Sequence, residues 1–171
     1  MRDRKMRLPQ IILPLSLLIL LGSTVLAESG RVGYVPELSC RNGPYSLQLP
    51  KSMKVLRSLG NLKKDEVYEI EESGAKKIEH RELTFDGLRV LVITILNQDS
   101  YVLEGVVITD SKWTILPGFR VGDTEESIQR RLGGQATRVD DGLEIGGDAD
   151  HLLFKIFDGR VIEIIFSCYT G

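Results

Sequence analysis

One pattern occurs twice in this 171-residue chain and sharply narrows its possible folds. Residues 121–134 read VGDTEESIQRRLGG. Asp123 or Thr124 is placed to cap a helix, and Glu126 follows Asp123 at capping-box spacing. Ile128 and Leu132 share one helical face, and Gly133-Gly134 supplies a left-handed stop. Residues 49–60, LPKSMKVLRSLG, end in the same Leu-Gly, which sets Val55 on Ile128 and Arg57 on Arg130. Each segment is followed by three strand-like runs, at 83–85, 88–96 and 101–109, then at 143–145, 152–157 and 160–168. The last runs align as Val102-Leu103-Glu104 with Val161-Ile162-Glu163. Their preceding turns are 97–100 and Asp158-Gly159, the second a two-residue hairpin signal.

The expected fold is therefore α+β. It has two tandem units, each a helix plus three antiparallel strands, with the helices on one face of the sheet. The expected boundaries are a leader at 1–27, an N-terminal arm at 28–45, a first unit at 46–110, a linker at 111–118 and a second unit at 119–171. A rival alignment sets Phe85-Asp86-Gly87 on Phe157-Asp158-Gly159, but it leaves strand 101–109 without a counterpart. Residues 61–82 carry charges at nearly every other position. Helix, hairpin and loop all remain open there.

The first 27 residues have the form of a secretory signal. Arg2, Arg4, Lys5 and Arg7 precede an apolar run at 11–21, broken only by Pro14 and Ser16, and Val25 and Ala27 suit a cleavage site. Eleven such residues are too short to cross roughly 30 Å of hydrocarbon. Glu28 and Ser29 follow Ala27, where a lipoprotein signal would need cysteine. The reading is a protein exported to the periplasm, cleaved after Ala27 and without a stable membrane anchor. Of 22 basic and 24 acidic residues, the leader holds four basic ones and Asp3, leaving 18 against 23. That balance excludes a nucleic-acid binder and favours a basic protein partner. Cys40 and Cys168 are the only cysteines, and in an oxidising compartment they are expected to form one disulfide between arm and last strand.

Strand periodicity assigns the faces. Ile162, Ile164, Phe166 and Cys168 form an unbroken apolar parity, expected to be buried. The other parity is expected on an open face, bringing Glu104 and Glu163 together with Val102, Val106, Ile108, Val161 and Ile165. These seven, with Trp113 in the linker as interunit packing or partner anchor, are the candidate partner-binding residues.

Gly118-Phe119-Arg120-Val121-Gly122-Asp123-Thr124 leads into a short helix ending in Leu-Gly, followed by small antiparallel strands. This arrangement, over residues 46–169, resembles the β-lactamase-inhibitory-protein-like fold and is similar to the small lipoprotein of the outer-membrane β-barrel assembly machine. The resemblance implies a protein-binding scaffold. The sequence has no glycine-rich phosphate loop of the required spacing, no Cys/His metal spacing and no nucleophile elbow. The expectation is a non-enzyme with no catalytic residues, cofactor or metal. Its expected role is an inhibitor or immunity protein that neutralises an enzyme or toxin. The alternatives are an envelope-assembly adaptor and a small-ligand or cell-wall binding protein. The absent lipidation cysteine favours the first reading over the adaptor.

Overall fold

The structure, a computed structural model, describes residues 33–36, 38–73 and 76–170. The proposed leader lies outside the described residues. The elements in chain order are β1 (Gly33–Tyr34), α1 (Met53–Leu56), β2 (Leu62–Ser73), β3 (Lys76–Phe85), β4 (Leu88–Ile95) and β5 (Tyr101–Ile108). They continue with α2 (Glu125–Arg131), β6 (Thr137–Val139), β7 (Gly142–Gly146), β8 (His151–Phe157) and β9 (Arg160–Ser167).

All nine strands join one mixed sheet in the order β1-β7-β8-β9-β5-β4-β3-β2, with β6 also paired to β7. This corrects the expected fold class. The molecule is mostly β, its helices are 4 and 7 residues long, and no boundary divides the sheet into two helix-plus-three-strand units. Antiparallel pairing of β5 with β9 runs the halves together, and β1 adds a parallel edge on β7. The charged stretch at 61–82 forms β2 and most of β3, joined as a long antiparallel hairpin. Its charge-rich alternation suits an edge strand, where side chains on both faces reach water.

Both short helices dock on turns. Ser52 caps α1, and Met53 N–H donates to Asp99 O at 2.7 Å. Thr124 caps α2, and Glu125 N–H donates to Gly159 O at 3.1 Å. The two turns so used are the pair aligned in the sequence. Gly134 N–H returns to Gln129 O at 2.8 Å, with Gly133 and Gly134 both left-handed, so the Gly-Gly stop ends α2.

The core lies on one face of the sheet. Met53, Leu56, Ile128 and Leu132 enter it with Val90, Val106, Phe154 and Phe166, and Phe119 stacks on Phe154 at 5.1 Å. Cys40 and Cys168 are bonded, with Cα atoms 5.8 Å apart. Asp150 clamps both arms of this link, accepting Cys40 N–H at 2.6 Å and Tyr169 N–H at 2.7 Å.

Two β-bulges overturn the expected face assignment. In β5 the register steps from Leu91↔Gly105 to Val92↔Leu103, leaving Glu104 as the extra residue. In β9 it steps from Lys155↔Glu163 to Ile156↔Val161, leaving Ile162 as the extra residue. A bulge places two successive residues on one face and reverses the parity beyond it. Val106, Ile108 and Val161 are consequently core residues at 1% exposure each, whereas Ile162 is 49% exposed.

Candidate functional site

The open face becomes a site at the end where β2, β3, β4 and β5 extend past the β5 bulge. Registers carry one row across it, Glu69↔His80↔Ile93↔Val102, and a second, Glu71↔Ile78↔Ile95. These rows border a cleft of about 450 Å³. Ile78, Ile93, Ile95 and Val102 supply apolar lining, and Glu71, His80, Gln98, Ser100 and Thr170 supply polar lining.

Local irregularity aims the polar groups. β2 has its own bulge between Val67 and Glu69, which leaves Tyr68 as the extra residue. The bulges in β2 and β5 bring Tyr68 and Glu104 onto His80 from opposite sides. Glu104 accepts a hydrogen bond from the Tyr68 hydroxyl at 2.6 Å through Oε2, and its Oε1 lies 2.9 Å from His80 Nδ1. Gly105, beside the bulge, packs closely: a Cβ there would lie 3.0 Å from Phe166 O.

His80 is 12% exposed and spans two carboxylates. Its Nδ1 meets Glu104, while its buried Nε2 has no hydrogen-bond partner and lies 3.5 Å from Glu71 Oε1. Burial of the ring opposes the charged form. The Glu104 hydrogen bond and the charges of Glu104, Glu71 and Glu69 outweigh it and raise the imidazole pKa above its ordinary value. Tyr68 is pushed well up by desolvation first and by its bond to Glu104 second, so it stays a neutral donor. The group can hold a proton between two carboxylates or offer acceptors to a cation. Among the described residues, no cluster of three or more His, Cys, Asp or Glu side chains is placed to hold a metal ion.

The sequence candidates scatter relative to this site. Val102 lies on the cleft floor and Glu104 beneath His80. Ile165 is on the open face but partly buried. Glu163 is on that face too, ion-paired with Lys155 at 3.1 Å. Cys168 N–H bonds Glu104 O, which places Glu163 five residues along β9 from Glu104. At about 3.3 Å per residue the two carboxylates are roughly 17 Å apart, so they do not form the single acidic centre expected of them. Trp113 donates to Asp86 O at 2.7 Å and meets Phe85 edge-on at 5.9 Å. It therefore packs on the first half rather than between halves. Sequence reasoning missed Tyr68, Glu71, Ile78 and His80. The alternation Ile78, His80, Glu82 against Glu79, Arg81, Leu83 was the available signal.

No family model, curated protein or solved structure matches this chain.

Proposed function

We propose that this protein is exported to the periplasm and neutralises another protein, an enzyme or a toxin, by binding it on the open sheet face. The observation carrying the reading is the one-sided sheet. Both helices feed the core on one side, while the other side presents Val102, Ile93 and Ile165 among carboxylates. A sheet face of this kind offers apolar burial for affinity and charge for orientation. The disulfide suits an oxidising compartment, and the resemblance carried by residues 118–124 points the same way.

The test is capture from periplasmic extract followed by an activity assay of whatever is captured. Val102→Asp combined with Ile165→Asp should lose the partner and its inhibition while melting close to wild type. Val55→Asp, on the exposed side of α1, should retain both. Equal capture and inhibition by all three proteins would remove the sheet face from the function.

A further inference from the structure

Independently of the open-face reading, we infer that the free edge at β2 receives an extended segment of another protein, added as an antiparallel strand that alternates basic and apolar residues. Backbone groups carry the inference. Among the described residues β2 ends the sheet, whereas β1 and β6 both pair with β7 at the other end. Leu96 N–H donates to Lys77 O, so the odd-numbered residues of β3 bond β4 and the even-numbered ones bond β2. The partners of those even-numbered residues include Lys64, Glu66, Glu69 and Glu71. Asp65, Val67, Ile70 and Glu72 therefore turn their N–H and C=O groups outward, where an incoming main chain supplies matching acceptors and donors.

Side chains set the sequence of that incoming chain. Val67 and Ile70 lie opposite Arg81 and Glu79, on the face that carries Leu83 and Phe85 into the core, yet they are 37% and 51% exposed. An added strand covers them with apolar residues of its own. Glu66, Glu69 and Glu71 are exposed on the other face, opposite Glu82, His80 and Ile78. Lys64 pairs with Glu66 at 2.5 Å, and Lys77, opposite Glu72, pairs with Glu79 at 3.5 Å. Among the described residues no lysine or arginine is ion-paired with Glu69, Glu71 or Glu72. Every second residue of an added strand falls beside these carboxylates, so lysine or arginine belongs there.

The same charges select against a second copy of this chain. The antiparallel register that sets Val67 against Ile70 of that copy also sets Glu66 against Glu71 and Asp65 against Glu72. Like charges directly opposite are destabilising, so the edge discriminates between strands rather than excluding all of them. Tyr68, the extra residue of the β2 bulge, bends the edge between its two pairs of outward residues, and its hydroxyl bond to Glu104 holds that bend in place.

The experiment uses the whole protein and an acetylated, amidated Lys-Val-Lys-Ile-Lys-Val-Lys peptide, with Glu in place of every Lys in the control peptide. Binding is read by NMR, with amide hydrogen exchange followed residue by residue. The basic peptide should bind saturably and slow exchange of the Val67 and Ile70 amides at least about tenfold. The acidic peptide should bind at least about tenfold more weakly. Ile70→Pro removes an outward N–H that β3 does not use, a change that edge strands tolerate. It should weaken the basic peptide at least about tenfold while melting close to wild type, and Glu69→Gln with Glu71→Gln should weaken it about as much. No binding at about 1 mM basic peptide overturns the inference. So does binding that leaves both amides exchanging as before, or an acidic peptide that binds as well as the basic one. If Ile70→Pro lowers the melting temperature, amide protection in the wild type decides alone. Val102→Asp with Ile165→Asp should leave peptide binding intact, which keeps this outcome separate from the open-face reading.

Discussion

The two halves of the sheet are built alike around β5 and β9, and the cleft described above lies on the first of them. In each, a helix is followed by four strands, and the helix N-terminus is tied to the turn before the last strand. In each, a bulge interrupts the last strand. The difference lies beyond the bulge. In the second half the β8–β9 hairpin closes at once through Asp158 and Gly159, both at positive φ, leaving Phe157 and Ile162 exposed. In the first half β4 and β5 continue through Ile93↔Val102 and Thr94↔Tyr101, and β3 continues beside them. The cleft occupies that extension. The halves differ most in β2 and β3, which are 12 and 10 residues long against 3 and 5 for β6 and β7.

The halves also differ in how their ends are secured. The second half relies on close backbone packing: a Cβ on Gly142 would fall 1.8 Å from Phe154 O. Its edge strand β7 pairs with β1 of the N-terminal arm, and the disulfide ties that arm to the end of β9 in mid-sheet. The first half relies on charge. Arg81 is 17% exposed and bonds both Asp65 and Glu79, at 2.8 Å and 2.6 Å.

The largest expected effect tests the shared core. Phe154→Ala should cost about 3–5 kcal/mol, read from denaturant unfolding, because Phe154 is fully buried against Phe119. A loss below about 1 kcal/mol would mean that this half does not pack as described.

Next comes the tie of the second half. Replacing Cys40 and Cys168 together by serine should lower stability by about 2–5 kcal/mol. Native-state hydrogen exchange should then rise first at β1 and β7 and leave β3 and β4 protected. Uniform loss of protection across the sheet would show that the halves unfold as one unit.

A smaller effect separates the two kinds of charge pairing. Arg81→Met removes the partner that Asp65 and Glu79 share, leaving Asp65 to Arg57 and Glu79 to Lys77, and should cost about 1–3 kcal/mol. Arg138→Met removes the exposed Arg138–Glu125 pair of the second half and should cost under about 1 kcal/mol. Equal costs would erase the distinction.

The smallest effect concerns His80. Its folded pKa is raised, so its contribution to stability is full below the unfolded pKa and is lost as pH rises through the folded value. Between pH 5.5 and 8.5, wild type should lose stability relative to His80→Gln. A constant difference between the two proteins would remove the imidazolium from the first half's stabilising network.

Much of the local structure is legible in the residues themselves. The strand runs at 88–96, 101–109, 152–157 and 160–168 lie within a residue or two of β4, β5, β8 and β9. Thr124, Ile128 and Gly133-Gly134 specify α2 through contacts within one or two turns of chain. The Cys40–Cys168 bond was legible because a chain with two cysteines has one intramolecular pairing to make.

Other features needed the assembled sheet. β2 was not readable as a strand because its Glu and Lys residues carry no apolar alternation. It is held instead by backbone pairing with β3 and by ion pairs such as Arg81–Asp65. The faces of β5 and β9 were misread because period-two reasoning assumes an unbroken ladder. Whether one residue loops out depends on the register of the neighbouring strand, and Leu91 and Val92 decide it for Glu104. Local sequence thus determined where this chain extends, turns and cross-links, through interactions that span a few residues. Tertiary structure alone decided which side chains face the core and which meet in the cleft. Those outcomes are set by pairing between strands distant in sequence, where a shift of one residue reverses every side chain beyond it.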